Sequence, residues 1–258
     1  MAKNTLIGIS GLARKIGKIY IGVGGYARKV KKGYIGISGM ARLFYTGDPV
    51  LIFEQSTAGT VTQDLAAGTY EITLIGGGGG GVVRRSTTSG ANHYAQGGVG
   101  GTVQVIAKLD APATVTIVIG GGGTTNSGTF ASASSGTLSG TAGVASKITG
   151  FTNLTLQANG GSAASIKATS TTGSNRTVGV IGAITASGTA LQETLISNPN
   201  PCTSQQGTSS STSRTATGRV NDNWPEDTSR GKSGDGGWNG TTFRSIYGAA
   251  GFARIRQL

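Results

Sequence analysis

Few residues of this 258-residue sequence have the types and spacing that chemistry needs. His93 is the single histidine, and it stands next to Tyr94 and close to the pair Arg84-Arg85. A hydrolytic triad would require a serine and an acid beside His93, and serine is so abundant here that its presence carries no information. We interpret His93 as a solvated loop residue, with contact to a receptor, together with Tyr94, as the functional alternative.

The glycine run at 76–81 satisfies the dinucleotide-binding pattern G-x-G-x-x-G by composition alone. A dinucleotide site also needs a helix beneath the pyrophosphate and an acid about 20 residues further on. The segment from Val82 to Gly90 is no helix, and the next acid is Asp110. We therefore predict no nucleotide site. Glycine here allows close backbone packing or an extended polyglycine-type helix, which side chains would prevent.

The ten acidic residues are scattered, without paired carboxylates or an HExxH motif, and the lone Cys202 forms no CxxC motif. The cluster Asn221-Asp222-Asn223 with Glu226-Asp227 has the residue types for Ca²⁺ but lacks the spacing of a known calcium loop. We predict that the protein is not an enzyme and that it has no catalytic residue, no cofactor and no metal.

Basic residues are concentrated at the N-terminus, where residues 1–45 carry nine Lys and Arg and no acid. Three interpretations stand: a solubilising face that protects strand edges, docking on an acidic virion surface or an anionic cell-wall polymer, and DNA binding. We predict docking as the function of these bases. We predict no nucleic-acid partner, because no known nucleic-acid module is present. The predicted attachment residues are Arg14, Lys15, Arg28, Lys29, Lys31, Lys32 and Arg42.

These bases belong to a repeat of fourteen residues, whose copies begin at Ile7, Ile21 and Ile35. Each copy has a short β-branched run, a glycine-containing turn and a second short run that ends in basic residues. Two strands per unit predict a β-meander that must stack on its copies or on another chain. The turn Gly47-Asp48-Pro49 marks a boundary between this module, 1–48, and the rest.

Residues 49–258 alternate apolar and polar residues in short runs, among them 70–74, 102–105, 114–117 and 153–156, and glycine-rich segments separate these runs. Such alternation predicts the half-buried antiparallel strands of a sandwich. The stretch 197–240 reads as a long irregular loop, and it contains both tryptophans, Trp224 and Trp238. Each tryptophan either pins this loop onto the sandwich or stacks on a sugar ring.

Val, Ile, Leu and Phe together make up 54 residues, about a fifth of the chain, so the expected core is thin and we predict an oligomer. No secretory signal and no membrane-spanning apolar run is evident. We expect no membrane insertion.

The order of several motifs resembles the glycine-rich domain of bacteriophage tail-fibre, spike and head-fibre proteins. These motifs are Tyr70 to Gly76 leading into polyglycine, Gly97 to Val103, Thr116 to Gly123, Leu156 to Gly161 and Gly248 to Ile255. The N-terminal copies resemble the YIGV-x-G-x-ARK arrays of structural proteins from phages and prophages. The resemblance implies a virion surface protein, often trimeric, that is made in a host cytoplasm and released by lysis. It implies no catalytic residues.

We therefore expect an all-β protein with N-terminal β-meander repeats and a jelly-roll-like, glycine-rich β-sandwich, assembled as a homotrimer. Residues 1–48 would attach it to tail or capsid proteins, and 49–258 would bind a host-surface polysaccharide or protein. The receptor-facing surface would use 197–240 and the loop 84–96, with Trp224, Trp238, His93 and Tyr94 as contacts. A head fibre with a weak adhesive role and a bacterial surface or matrix adhesin are the alternatives.

Overall fold

The chain forms strands and no helix in the residues that the structure, a computed structural model, describes. The described residues are 6–9, 12–15, 20–23, 26–29, 32–37, 40–46, 49–130, 136–170, 174–197, 206–209, 213–214, 216, 218, 220–222, 226–239 and 241–258. None of them belongs to a helix of the length and apolarity that a membrane crossing requires. The predicted all-β fold class is confirmed.

The strands are numbered in chain order. The N-terminal module contains β1 (Leu6–Ile9), β2 (Leu12–Lys15), β3 (Tyr20–Val23), β4 (Tyr26–Lys29), β5 (Lys32–Ile37) and β6 (Met40–Thr46). Next come β7 (Val50–Gln55), β8 (Gly59–Leu65), β9 (Gly68–Ile75), β10 (Val82–Ser86), β11 (Asn92–Ala95), β12 (Thr102–Leu109), β13 (Ala113–Ile119), β14 (Asn126–Phe130), β15 (Thr137–Ser139) and β16 (Ser146–Thr149). The last are β17 (Thr155–Ala158), β18 (Ser165–Ala168), β19 (Ser174–Thr177), β20 (Ile184–Ser187), β21 (Leu191–Ser197), β22 (Gln206–Ser209), β23 (Ser213–Arg214), β24 (Asp235–Asn239), β25 (Phe243–Ile246) and β26 (Phe252–Gln257).

Each fourteen-residue unit forms one β-hairpin, in which β1 pairs with β2, β3 with β4 and β5 with β6. The register is the same in all three copies, because the isoleucine that opens each copy lies opposite the arginine seven positions later. Arg14, Arg28 and Arg42 therefore occupy equivalent strand positions.

A β-sandwich of two five-stranded sheets follows, with strand orders β21-β12-β9-β26-β7 and β20-β17-β16-β13-β8. The alternating runs noted in the sequence form its strands and send their apolar residues into one shared core, including Ile72, Val105, Ile117 and Leu156. Tyr70 closes the core near a turn, where its hydroxyl donates a hydrogen bond to the Ala66 carbonyl at 2.7 Å. The predicted sandwich is confirmed.

Glycine segments leave or enter the sandwich at one end and form a bundle of extended chains. The central segment, 76–81, follows β9 and is wholly buried. Its N–H groups donate in turn to three different neighbours: Gly76 and Gly79 to 97–101, Gly77 and Gly80 to 140–144, and Gly78 to Ala249. A change of partner with a period of three is the pattern of a polyproline II-type helix, which has three residues per turn and no internal hydrogen bonds.

Six segments surround the central one in a closed ring, and each is hydrogen-bonded to the next. In ring order they are 97–101, 159–164, 140–144, 120–124, 248–251 and 231–234, and an outer segment, 178–183, lies against the first two. A Cβ at any of the six central glycines would lie 2.7 Å or less from a backbone atom of another segment. No side chain fits there, so the predicted close packing of 76–81 is confirmed.

Three small sheets lie beyond the bundle, at the end opposite the sandwich, and we call them the tip. They are β14-β10-β11-β22, β15-β18-β19 and β23-β24-β25. The other end of the molecule, the base, holds the sandwich turns and the start of β7, where Val50 pairs with Gln257. The chain therefore enters the base directly after the N-terminal module, and the bundle separates the base from the tip.

The segment 197–240 is not one irregular loop, as the sequence suggested. It contains β22, β23 and β24, and its residues 231–234 form one segment of the ring. The polar, turn-forming composition of this segment did not indicate strands, because these strands are held by backbone hydrogen bonds and have almost no apolar side chains.

Candidate functional site

The tip contains the predicted receptor residues that the structure describes, and the hairpin β10–β11 sorts them onto two faces. Arg84 pairs with His93, Val83 with Tyr94 and Arg85 with Asn92. Directly opposed residues share a face of a sheet, and neighbours along a strand alternate. His93 and Arg84 therefore lie on one face, whereas Tyr94 and Arg85 lie on the other.

His93 is fully buried, so the interpretation as a solvated loop residue is wrong and direct contact with a receptor is excluded in this structure. Its ring packs 5.6 Å from that of Phe130, and its Nδ1 lies 2.9 Å from the hydroxyl of Ser174. Burial lowers the pKa of His93, and the charges of Arg176 and Arg84 lower it further. The imidazole is therefore neutral at pH 7, and it packs the first tip sheet against β19.

Arg84 holds this inner face together. Its guanidinium donates a hydrogen bond to the Gly136 carbonyl at 2.6 Å and lies 5.1 Å from the centre of the Phe130 ring. The side chain is 7% exposed. Arg84 thus joins β10 to β14 and to the segment before β15.

The opposite face carries a partly exposed aromatic and cationic group, formed by Trp238, Phe243 and Arg85, which we call the Trp238 cluster. Trp238 and Phe243 are a cross-strand pair of β24 and β25, with ring centres 4.9 Å apart in an edge-to-face arrangement. The Arg85 guanidinium lies 4.4 Å from the centre of the indole ring, within the range of a cation–π interaction. Among the described residues, neither Trp238 Nε1 nor Arg85 Nη1 has a hydrogen-bond partner.

A close backbone approach makes this cluster possible. A Cβ at Gly236 would lie 2.6 Å from Cγ1 of Val83, so glycine lets β24 lie directly on β10. Trp238 lies on a strand and not, as expected, on an irregular loop. Tyr94 is half-buried on the same face of β10–β11 as Arg85, and Trp224 lies outside the described residues.

Glu226 and Asp227, two of the possible calcium ligands, are engaged by other groups of the chain, and Asn223 lies outside the described residues. Glu226 accepts hydrogen bonds from Arg254 at 2.5 and 3.3 Å, and Asp227 accepts from Ser229 and forms an ion pair with Arg230 at 2.8 Å. The hydrogen bond from Arg254 is the main cause that lowers the pKa of Glu226. Within the described ranges, no group of three or more His, Cys, Asp and Glu could hold a metal ion.

A shallow cleft of about 520 Å³ lies at the base, far from the tip. Its charged lining residues, Lys108 and Asp110, form an exposed ion pair with each other at 2.6 Å. The lining is Lys108, Leu109, Asp110, Ala111, Pro112, Ala113, Thr152, Asn153, Thr189, Ala190 and Gln192. This set offers no nucleophile–base pair and no paired carboxylates.

Charge is distributed unevenly along the molecule. The described tip residues, which are 82–95, 126–130, 136–139, 165–170, 174–177, 206–209, 213–214, 235–239 and 241–247, contain six bases and one acid, Asp235. The bases are Arg84, Arg85, Lys167, Arg176, Arg214 and Arg244. The sandwich, with the segment 221–230 at its edge, carries eight acids against five bases. The net charge of consecutive stretches of sequence does not reveal this separation, because the tip is assembled from five stretches that are distant in sequence.

The predicted attachment residues lie within the N-terminal hairpins. Arg14 and Lys15 are on β2, Arg28 and Lys29 on β4, Lys32 on β5 and Arg42 on β6. Lys31 lies outside the described residues. Their role in attachment stays a prediction.

Comparison with family models and with curated proteins finds no match to this chain.

Proposed function

We propose that this chain is a subunit of a bacteriophage surface fibre or spike. The hairpins of residues 1–48 attach it to tail or capsid proteins, and the tip binds the host surface. The observation that carries the proposal is the polarity of the molecule: the chain enters the base from the hairpins, and the tip lies at the far end of a bundle whose central segment, 76–81, consists of glycine alone. The same polarity suits a head fibre or capsid decoration protein, so the position on the particle is part of the test.

A binding role fits the tip better than a catalytic one. The only histidine is buried and shares its hairpin face with Arg84, and the tip's only acid, Asp235, is fully buried. The Trp238 cluster instead offers a partly exposed aromatic ring beside a guanidinium group, and such groups recognise sugars and planar anions.

Deletion of residues 1–48 tests the division of labour. Particles grown with the truncated chain should lack it, while the remaining residues still adhere to host cells, because the tip and its bundle are intact. Copy number per particle, measured by quantitative mass spectrometry, and labelling of intact particles would show the loss and the location. Normal incorporation of the truncated chain would contradict the attachment role.

Substitution of Trp238 by Ala tests the display role. Because the indole contacts both Phe243 and Arg85 but is partly exposed, we expect a loss of about 2 kcal/mol in the free energy of unfolding together with weaker adsorption. Trp238→Phe keeps an aromatic ring against Phe243 and should recover most of the stability but not all of the binding. Unchanged adsorption by both variants would place receptor contact elsewhere.

A further inference from the structure

The tip carries an excess of positive charge, which favours a negatively charged receptor. We infer that the tip binds an anionic polymer with repeated phosphate or carboxylate groups, in preference to a neutral glycan or an uncharged protein face. This inference rests on the proposed host-binding function and names the chemical class of its receptor.

The net charge of the tip does not depend on how its side chains are paired. Asp235 is fully buried, where its carboxylate accepts hydrogen bonds from Gln96 at 3.2 Å and from the Gly236 N–H at 2.8 Å. One carboxylate balances at most one of the six bases, so at least five positive charges remain. Lys167 and Arg244 are exposed, and Arg85 and Arg176 are half-buried.

The bases are spread over all three tip sheets. Arg84 and Arg85 are on β10, Lys167 and Arg176 on the hairpin β18–β19, and Arg214 and Arg244 on β23 and β25. A small anion would need a converging pocket, whereas a chain with a charge in each repeating unit can meet several separate bases at once. Arg85 also lies beside the partly exposed Trp238 ring, 4.4 Å from its centre, so a sugar ring and its anionic group could be bound together there.

Distance keeps this charge separate from the acids of the sandwich. The six residues of the central segment span about 19 Å at 3.1 Å per residue. The Debye length at physiological salt is about 8 Å, so the net negative charge of the sandwich is largely screened at the tip. An anionic surface therefore attracts the tip, and it orients the molecule with its base outward where the N-terminal hairpins are already bound to the particle.

The test uses the full chain and two double variants that change net charge equally. The tip variant is Lys167→Glu with Arg244→Glu, and the matched control is Lys108→Glu with Lys147→Glu in the sandwich, where both lysines are exposed. Binding is measured to immobilised poly(glycerol phosphate), to polygalacturonate and to neutral dextran, at low and physiological salt. The two polyanions distinguish phosphate from carboxylate as the source of charge.

We expect the full chain to bind at least one polyanion and not to bind dextran. The tip variant should lose about tenfold or more in affinity for the polyanion. Each exposed ion pair with the polymer contributes modestly to this affinity, and a reversed charge adds repulsion to the loss of the pair. The control should change less than about threefold. Equal weakening of both variants would overturn the inference, because overall charge or the N-terminal hairpins would then explain binding. Binding to dextran as strong as to the polyanions would also overturn it.

Host-cell adhesion separates the two levels of the proposal. If the full chain adheres to cells and the tip variant adheres equally well, the anionic receptor is wrong while the display role stands. If the full chain binds polyanion through the tip but does not adhere to cells, the charge inference holds and the host-binding function fails.

Discussion

The packing of the glycine bundle predicts that Gly78→Ala, in the middle of the central segment, strongly destabilises the protein. A Cβ there would lie 1.8 Å from the Lys232 carbonyl oxygen, whereas ordinary contact begins at 3.4 Å. Substitution by alanine therefore requires 231–234 and the central segment to separate by about 1.6 Å, the difference between these two distances. The neighbouring segments give no room, because the ring is closed.

The energetic cost follows from this displacement. Overpacking of a close-packed interior costs about 1–3 kcal/mol. Movement of Gly78 also strains two backbone hydrogen bonds, from Gly78 N–H to Ala249 at 2.9 Å and from Gly123 N–H to Gly78 at 2.7 Å. Each hydrogen bond contributes about 1 kcal/mol, and a buried group left unpaired costs more. Together with overpacking, Gly78→Ala should lower the free energy of unfolding by about 4 kcal/mol or more. A domain stabilised by about 5–15 kcal/mol would be close to unfolding.

Gly121→Ala is the matched control. Gly121 belongs to the ring segment 120–124, and a Cβ there would meet only the Ala58 methyl group, at 3.8 Å. We expect a change within about 0.5 kcal/mol or a slight stabilisation, because alanine restricts the unfolded chain. Thermal unfolding by calorimetry should show Gly78→Ala at least about 10 °C below the wild type, if it folds at all. Similar melting temperatures for Gly78→Ala and Gly121→Ala would refute the packing that we describe for the bundle.

Two further predictions concern pH. Burial depresses the pKa of His93 below its ordinary value of about 6.5, so the unfolded chain takes up a proton first as the pH falls. Stability should therefore decrease as the pH falls below about 6.5, by up to about 1.4 kcal/mol per pH unit, until the folded-state pKa is reached. His93→Gln should flatten this part of the melting-temperature profile, and an unaltered slope would argue against a neutral buried His93. For Glu226 the pKa is lowered by Arg254, so its contribution is present above about pH 4.3 and lost as the pH falls through the folded-state pKa. Since Glu226 is half exposed, Glu226→Gln should cost only about 1 kcal/mol at pH 7 and nothing in strong acid, as urea titrations at both pH values would show.

The sandwich was predictable because its strands carry their own signal. Runs such as 70–74 and 114–117 alternate apolar and polar residues, and this period of two is a local property that the sheet preserves. The two strands of each fourteen-residue unit were equally visible, since each unit contains two short runs and a glycine turn. The predicted β-meander is not found, because in the described residues each unit pairs only within itself and forms a separate two-stranded sheet.

The tip was not predictable in the same way. β22 and β23 consist of Gln, Gly, Ser, Thr and Arg, and β24 reads Asp-Gly-Gly-Trp-Asn, so no apolar alternation marks them. The Trp238 cluster joins β10 to β24 and β25, which are about 150 residues away in sequence, through an approach that Gly236 permits. His93 was misread because a lone histidine between polar residues resembles a loop residue, and its burial depends on β14 and β19.

The thin core that led us to expect an oligomer has a second explanation. The chain buries glycine backbone in a bundle whose N–H and carbonyl groups bond across a closed ring. Backbone hydrogen bonds contribute about 1 kcal/mol each, so stability in this region does not require apolar side chains. Low apolar content is therefore no argument for the homotrimer, which stays a prediction that sedimentation of the full chain can check.

The direction of the chain within the bundle determines how firmly the tip is held. The central segment runs away from the sandwich, and it donates its N–H groups to 97–101, 140–144 and 248–251, all of which run back toward the sandwich. It accepts from 120–124, 159–164 and 231–234, which run outward. Ring segments therefore alternate in direction, and sliding any one of them along the axis breaks bonds to neighbours on both sides. Because the seven segments are joined by hydrogen bonds in this way, the tip keeps a fixed orientation relative to the base. If residues 1–48 attach the chain to a particle, as we propose, the tip would present the Trp238 cluster and the surrounding bases to the host surface. No entropy would then be lost in ordering a flexible arm.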